Sequence, residues 1–173
     1  MVDPGQLQTY ELGVEGEQRD RLVGLVRSGT KTVTTSLLVH LRMENEDLPL
    51  PGQRYALVDS EGRRGTVEIV EVRLLRLGDV GDDVAAGEGE GFCDAAHWRE
   101  VHEEFWFTWN AEVAQFLERD QRAPTDQDVV VVEVLRADLV GSPEALAVRG
   151  AAAKADHQRM PGLPGSPPVS ALC

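Results

Sequence analysis

The start of the chain has a helical spacing of apolar residues, which then changes to a strand-like pattern. Within Glu17–Ser28, apolar residues lie three and four positions apart, as they do on one face of a helix. Gly29 follows, at the point where helices commonly end in a left-handed residue. The next residues, KTVTTSLLV, are rich in threonine and other β-branched side chains, and they predict a strand directly after the helix.

A β-hairpin is predicted in the middle of the chain. Leu50–Gly52 forms a turn, and Gln53–Val58 has the composition of a strand. The polar residues Asp59–Gly62 supply a second turn, and Gly65–Leu77 then contains several valine and isoleucine strand formers. We therefore expect two antiparallel strands joined by this turn.

One long helix and a final strand complete the pattern. Asp94 is an N-cap, and Val129–Leu139 is apolar enough to be a central strand. The order of helix, strand, hairpin, helix and strand indicates the α+β class, and a small barrel-like sheet with flanking helices fits it best. The apolar stripe of the long helix consists of Trp98, Val101, Phe105, Trp109, Val113 and Phe116.

Composition changes near residue 141. Residues 141–173 are rich in alanine, glycine, proline and serine and contain no aromatic residue, so we predict a flexible tail after a folded domain of residues 1–140. The tail contains three basic and two acidic residues, whereas the whole chain of 173 residues has a formal charge of -13. The excess of acid therefore belongs to the folded domain.

Charge and hydropathy restrict the partners. A charge of -13 repels polyanions at long range, which disfavours general coating of nucleic acid but permits a small ligand or a local basic groove. No stretch has the roughly 18 uncharged apolar residues that a membrane span needs. The start of the chain also lacks the layout of a signal peptide. We expect a cytoplasmic protein without a membrane partner.

Lysine is rare in this chain, which makes Lys31 conspicuous. The chain has 15 arginines and two lysines, and Lys31 is the only lysine before the predicted tail. A lone lysine among arginines is either a surface residue by chance or a residue at a position that must release a proton or fit a narrow space. It could act as the base for a threonine such as Thr34, but residues three apart face opposite sides of a regular strand. The threonines could equally serve only to favour the strand.

An acidic segment follows the hairpin. Residues 79–94 contain six carboxylates and no basic residue, a composition typical of a solvated loop. Within it, GEGEG places Glu88 and Glu90 among glycines, which let the backbone approach a ligand closely. The calcium-loop pattern is absent, and His97 and His102 are five residues apart, which does not suit a helical zinc pair. We predict no metal and no other cofactor.

Three separated segments resemble the ASCH domain, a small β-barrel related to the PUA RNA-binding domains. They are VRSGTKTVTTSLL, LPLPGQRYALVDSEGRRGTVEIVEV and DVAAGEGEGFCDAAHWREVHEEFW, and the resemblance spans about residues 15–140. Its most specific part is the run from Gly29 to Thr34, which is similar to the family motif G-x-K-x-x-T. The resemblance implies a PUA-like barrel whose cleft accepts RNA or a modified nucleoside.

The resemblance also implies a chemistry. Some bacterial ASCH proteins are amidohydrolases that remove the acetyl group from N(4)-acetylcytidine through a lysine, a threonine and a glutamate. By motif match these roles fall on Lys31, Thr34 and Glu88, and the chain is then expected to bend after Gly29 so that Lys31 and Thr34 meet. The residues expected to contact the substrate are Gly29, Thr30, Thr32, Thr35, Arg42, Glu90 and Trp98.

Two other functions stay open at this point. One is an RNA-binding module without turnover, in which an aromatic residue stacks a base and arginines contact phosphate. The other is a ribonuclease that uses Lys31 together with His97 or His102. The arginines considered for phosphate contact are Arg27, Arg42, Arg54, Arg63 and Arg64.

Overall fold

The computed structural model of the chain describes residues 7–138. Helices and strands follow one another without a regular βαβ repeat, and a short 3-10 helix at Leu77–Asp79 follows the third strand. The elements in chain order are α1 (Glu17–Arg27), β1 (Val33–Leu37), α2 (Leu38–Met43), β2 (Arg54–Val58), β3 (Arg64–Arg76), α3 (Asp82–Glu88), α4 (Ala95–Phe107), α5 (Asn110–Phe116) and β4 (Val129–Asp138).

The four strands form one antiparallel sheet in the order β1-β4-β3-β2. β3 and β4 make the longest pairing, from Thr66 opposite Asp138 to Arg76 opposite Val129, and its register shifts between Ile69 and Glu71. A bulge of this kind bends a strand and increases its twist. The sheet curls into a half-barrel, which confirms the predicted α+β, PUA-like architecture.

Helices cover the sheet on both faces. α1 packs its buried residues against β2, β3 and Leu135 of β4, whereas α3 and α4 pack against β1 and against Val130 and Val132 of β4. Successive residues of β4 therefore serve two different cores, as the alternation of side chains along a strand requires. The predicted position of this strand inside the sheet is confirmed, because β4 lies between β1 and β3.

The predicted long helix after Asp94 is wrong in its length. Asp94 does cap it, by accepting a hydrogen bond from the His97 backbone N–H, but α4 ends at Phe107 and α5 begins at Asn110. The hydroxyl of Thr108 donates to the Phe105 carbonyl at 2.7 Å, a local bond that competes with helix continuation. As a result only part of the apolar stripe is buried, and Phe105, Trp109 and Phe116 are exposed.

The acidic segment is also more ordered than its composition suggests. Asp82–Glu88 is a helix with two acidic residues in its first turn, where the helix dipole favours negative charge. Val84 and Ala85 are buried against the core, so this segment is not a solvated loop. The helix ends at Gly89, which has the left-handed φ of 67° that a C-cap glycine provides.

Two further expectations concern the domain boundary and a membrane span. The predicted tail at residues 141–173 lies outside the described residues, so the domain boundary near residue 140 stays a prediction. None of the helices within residues 7–138 combines the length and the apolar character that a membrane span requires.

The end of α3 lies directly against the backbone of Thr30, in the segment between α1 and β1. The backbone N–H of Thr32 donates to the Gly87 carbonyl at 2.8 Å, and a Cβ at Gly89 would overlap the carbonyl group of Thr30. Only glycine, which has no Cβ, permits this close approach of the two backbones. The approach places Glu88 next to Lys31.

We predict that Gly89→Ala destabilises the fold more than Gly91→Ala. Both glycines have positive φ, but a Cβ at Gly91 would meet no atom within 4 Å. Gly91→Ala should therefore cost about 1 kcal/mol from backbone strain alone. Gly89→Ala should cost about 1–3 kcal/mol more, because the backbone of Thr30 must move. Urea unfolding followed by tryptophan fluorescence measures both costs, and equal costs would contradict this close approach.

Candidate functional site

Lys31 and Glu88 meet in a buried cluster beside β1, the edge strand of the sheet. Lys31 follows the end of α1, where its backbone N–H donates to the Leu25 carbonyl at 3.0 Å. Glu88 is the last residue of α3. The side chains of both residues are only 1% exposed, and they form an ion pair. The pair therefore joins the short segment that follows α1 to the end of α3.

Lys31 has no free N–H. An ammonium group has three donors. One bonds Glu88 Oε2, a second bonds Glu90 Oε1 at 3.1 Å, and a third reaches the backbone carbonyl of Glu88 at 3.5 Å. The two carboxylates compensate the cost of burying the positive charge.

The carboxylate of Glu88 accepts bonds from several elements. Besides Lys31, its Oε1 accepts the Thr35 hydroxyl at 2.6 Å and the Trp98 indole N–H at 3.4 Å. His102 Nε2 lies 3.5 Å from the same oxygen. Burial by itself raises the pKa of Glu88, but the His102 hydrogen bond and the charges of Lys31 and His102 outweigh it. The pKa of Glu88 falls to about 2, so the group is ionised at neutral pH.

Glu90 covers the cluster on the side of α1. Its Oε1 accepts from Lys31, and its Oε2 forms an ion pair with Arg21 at 2.7 Å. The Glu90 side chain is 14% exposed and that of Arg21 is 47% exposed, so this pair lies between Lys31 and solvent. Glycines with positive φ flank Glu90 at positions 89 and 91, which lets this short segment turn back over Lys31.

Two neighbouring threonines of β1 face opposite sides of the sheet. Thr35 pairs with Val132 and donates to Glu88, whereas Thr34 pairs with Glu133. Residues directly opposite in an antiparallel pair share a face, so Thr34 points to the face of Glu133. No hydrogen bond within residues 7–138 joins the Thr34 hydroxyl to Lys31 or Glu88. The chain turns at Gly29, where φ is 75°, but the expected meeting of Lys31 with Thr34 stays a prediction.

The other predicted contact residues lie at different distances from this cluster. Gly29 has φ 75° and ends α1, whereas Thr30 and Thr32 are exposed, and the Thr32 hydroxyl bonds the Gly87 carbonyl at 3.4 Å. Trp98 is fully buried behind Glu88. Arg42 is exposed on α2, and no hydrogen bond or ion pair within the described residues joins it to Lys31 or Glu88.

No expectation from the sequence placed His102 next to Glu88. Its ring stacks on Trp98 with centroids 4.4 Å apart, and its Nδ1 lies 2.9 Å from the Trp98 carbonyl oxygen. The available signal was its position four residues after Trp98, since residues i and i+4 share one helix face. From the sequence, His102 was compared with His97 as a possible zinc pair, and its spacing from Trp98 was not considered.

A second polar pair lies on the face of Thr34. The Tyr10 hydroxyl donates to Glu133 Oε2 at 2.7 Å. Burial raises the pKa of Glu133, against the effect of the Tyr10 hydrogen bond, and the charge of Glu46 raises it further. This carboxyl therefore differs from Glu88, because no cation in the described part of the chain is paired with it.

Within residues 7–138, no three or more histidine, cysteine, aspartate or glutamate side chains form a group that could hold a metal ion. The polar groups available for chemistry are therefore the lysine, the carboxylates, the hydroxyl of Thr35 and the imidazole of His102.

The curled antiparallel sheet with helices on both faces is the PUA-like class of fold. The chain belongs to the ASCH domain family, whose pattern it matches over residues 8–136. An ASCH domain from Lactobacillus crispatus JV V101 is 23% identical, with a TM-score of 0.63 over 75% of this chain and 78% of that chain. A DUF984-family protein from Enterococcus faecalis V583 is 24% identical, with a TM-score of 0.64 over 85% of this chain and 86% of that chain. The comparison with curated proteins gives no match.

We predict that Glu88→Gln lowers the free energy of unfolding at pH 7 by about 3–5 kcal/mol, because it leaves Lys31 buried without its main partner. A group whose pKa is lowered on folding stabilises the protein above its unfolded pKa, and this stability is lost as the pH falls through the folded pKa. The difference between wild type and Glu88→Gln should therefore shrink between pH 4.5 and about 2.

Glu103→Gln is the matched control for this measurement. Glu103 pairs with Arg99 at 2.6 Å, but both side chains are about one-third exposed. An exposed pair contributes only about 0.2–1 kcal/mol. Urea unfolding at several pH values compares the two variants, and a Glu88→Gln cost as small as that of the control would contradict a compensated buried charge pair.

Proposed function

We propose that this ASCH domain is a small amidohydrolase that removes an acyl group from an N(4)-acylated cytidine-like nucleoside. The observation that supports it most is the buried contact of one carboxylate with both a lysine and a threonine hydroxyl, Glu88 with Lys31 and Thr35. A hydroxyl hydrogen-bonded to an ionised carboxylate is the arrangement of an activated nucleophile. The adjacent ammonium offers positive charge where an amide carbonyl would develop negative charge.

Substrate entry requires that Glu90 move away from Lys31. Lys31 and Glu88 are closed from solvent, and the Glu90–Arg21 pair lies over them. Displacement of Glu90 frees one N–H of Lys31, which then donates to the acyl oxygen of the substrate. The glycines on both sides of Glu90 permit this movement without rearrangement of α3.

In the proposed reaction, Thr35 Oγ1 attacks the acyl carbon and its proton passes to Glu88. Lys31 stabilises the oxyanion and gives a proton to the cytosine nitrogen as the carbon–nitrogen bond breaks. Water then hydrolyses the acyl-threonine to a carboxylic acid and the free hydroxyl. The proton on Glu88 returns to Lys31, so the pair is restored for the next cycle.

Charge and ion pairing favour a small neutral substrate over RNA. Two of the five arginines considered for phosphate contact, Arg27 and Arg63, both bond Asp59, at 3.1 Å and 2.7 Å. The chain as a whole carries a charge of -13, which repels a polyanion. We therefore propose a nucleoside-like ligand, and a cytoplasmic location stays a prediction.

The first test measures release of cytidine from N(4)-acetylcytidine by liquid chromatography. Wild type should catalyse release, and Lys31→Arg should lower kcat by at least about 100-fold, because a guanidinium keeps the charge but does not release a proton. Circular dichroism confirms that the variant is folded. Absence of release by wild type would overturn the proposed function, and an unchanged rate in Lys31→Arg would remove Lys31 from proton transfer.

A second test distinguishes the two threonines. Thr35→Val and Thr34→Val remove the same hydroxyl from adjacent residues on opposite faces of β1, so each controls for the other. We expect Thr35→Val to lose turnover and Thr34→Val to retain most of it. Mass spectrometry of the protein during turnover should detect an acyl adduct on Thr35. The reverse order of activities would give the nucleophile role to Thr34.

A further inference from the structure

His102 is the one imidazole of the described chain that contacts the Lys31–Glu88 cluster. Its ring is fixed on three sides by aromatic residues of α4 and of the segment before it. It stacks on Trp98, meets Trp106 edge-on with centroids 5.2 Å apart, and lies 5.4 Å from Phe92. A ring with such contacts has little freedom to rotate, so the direction in which each nitrogen points is set by packing.

The hydrogen-bond partners assign the proton on one ring nitrogen. Nδ1 of His102 faces the Trp98 carbonyl oxygen at 2.9 Å, and a carbonyl only accepts, so Nδ1 carries a proton. Nε2 is then the nitrogen that gains or loses a proton, and it faces Glu88 Oε1 at 3.5 Å. His102 is also 14% exposed at its side chain whereas Glu88 is 1% exposed. The imidazole therefore connects a closed carboxylate to solvent.

We propose that His102, acting through Glu88, takes up the proton that the Thr35 hydroxyl releases. This inference rests on the proposed amidohydrolase function. The hydroxyl proton of Thr35 passes to Glu88 Oε1, and Nε2 of the neutral imidazole then accepts it, so the site gains an imidazolium and Glu88 stays ionised. After acyl transfer the imidazolium returns the proton through Glu88 to Lys31, which has given its own to the leaving amine.

Nε2 of His102 lies 3.5 Å from the Glu88 oxygen that accepts the Thr35 hydroxyl, so a proton from that hydroxyl can pass through this oxygen to the ring. The charged groups that act on His102 come from two elements. Glu88 of α3 faces Nε2, and Lys31, which precedes β1, bonds the other oxygen of the same carboxylate. Phe92, Trp98 and Trp106 supply the remaining contacts and do not titrate between pH 5 and 8.

The test compares His102→Gln with His97→Gln, a substitution of the other histidine on α4. Glutamine can donate to Glu88 but takes up no proton. The wild-type kcat for N(4)-acetylcytidine should rise with pH, because only a ring with an unprotonated Nε2 can take up the threonine proton. His102→Gln should lose this rise and fall about 100-fold at pH 8, whereas His97→Gln should keep the wild-type profile. A uniform fall with the same pH profile would show a merely structural role and overturn the proposal.

A measurement without substrate separates this inference from the proposed function. The ¹³C signal of the Glu88 carboxyl is followed by NMR from pH 5 to 8 in wild type and in His102→Gln. Because Glu88 itself titrates far below this range, a change of its signal in wild type reports the charge of the neighbouring imidazole. The change should be absent in His102→Gln. An unchanging Glu88 signal in wild type would overturn the role of His102, and absence of turnover with a changing signal would overturn only the amidohydrolase.

Discussion

The ion pair between Lys31 and Glu88 is the interaction on which the remainder of the site depends. Each charge would be costly to bury alone, and the two compensate each other only while Lys31, after α1, lies against the end of α3. The close approach of Gly89 to Thr30 keeps these two segments together. Stability and chemistry are therefore coupled in one cluster, since the same contacts that satisfy the buried charges also direct the Thr35 hydroxyl and the His102 ring.

Two carboxylates on opposite faces of the sheet have pKa values that are shifted in opposite directions. Glu88 is surrounded by donors and its pKa is lowered, whereas burial raises the pKa of Glu133, whose partner is the neutral hydroxyl of Tyr10. β1 separates these environments by a single residue, with Thr35 on one side and Thr34 on the other. Neighbouring hydroxyls of this strand therefore face different carboxylates, because side chains alternate across a strand.

Much of the fold could be predicted from local signals, and less of the site. The end of α1 at Gly29 and the hairpin of β2 and β3 follow from turn residues and strand propensity. The family motif located Lys31 and Glu88. It could not show that Thr35 bonds Glu88, because the face of a threonine depends on strand register, nor connect His102 to a carboxylate on another helix. Such contacts are set by tertiary packing, and local spacing encodes them only in part.

The position of α3 against β1 has a consequence for solubility. β1 is an edge strand with the sequence VTTSL, rich in the side chains that favour β-structure, and unpaired edges of this kind recruit strands of other molecules. The end of α3 covers the start of this edge, because Gly87 accepts the backbone N–H of Thr32 and Glu88 bonds Thr35. The cluster proposed for catalysis thus also shields the sheet against intermolecular pairing, and damage to it would be seen as aggregation as well as lost activity.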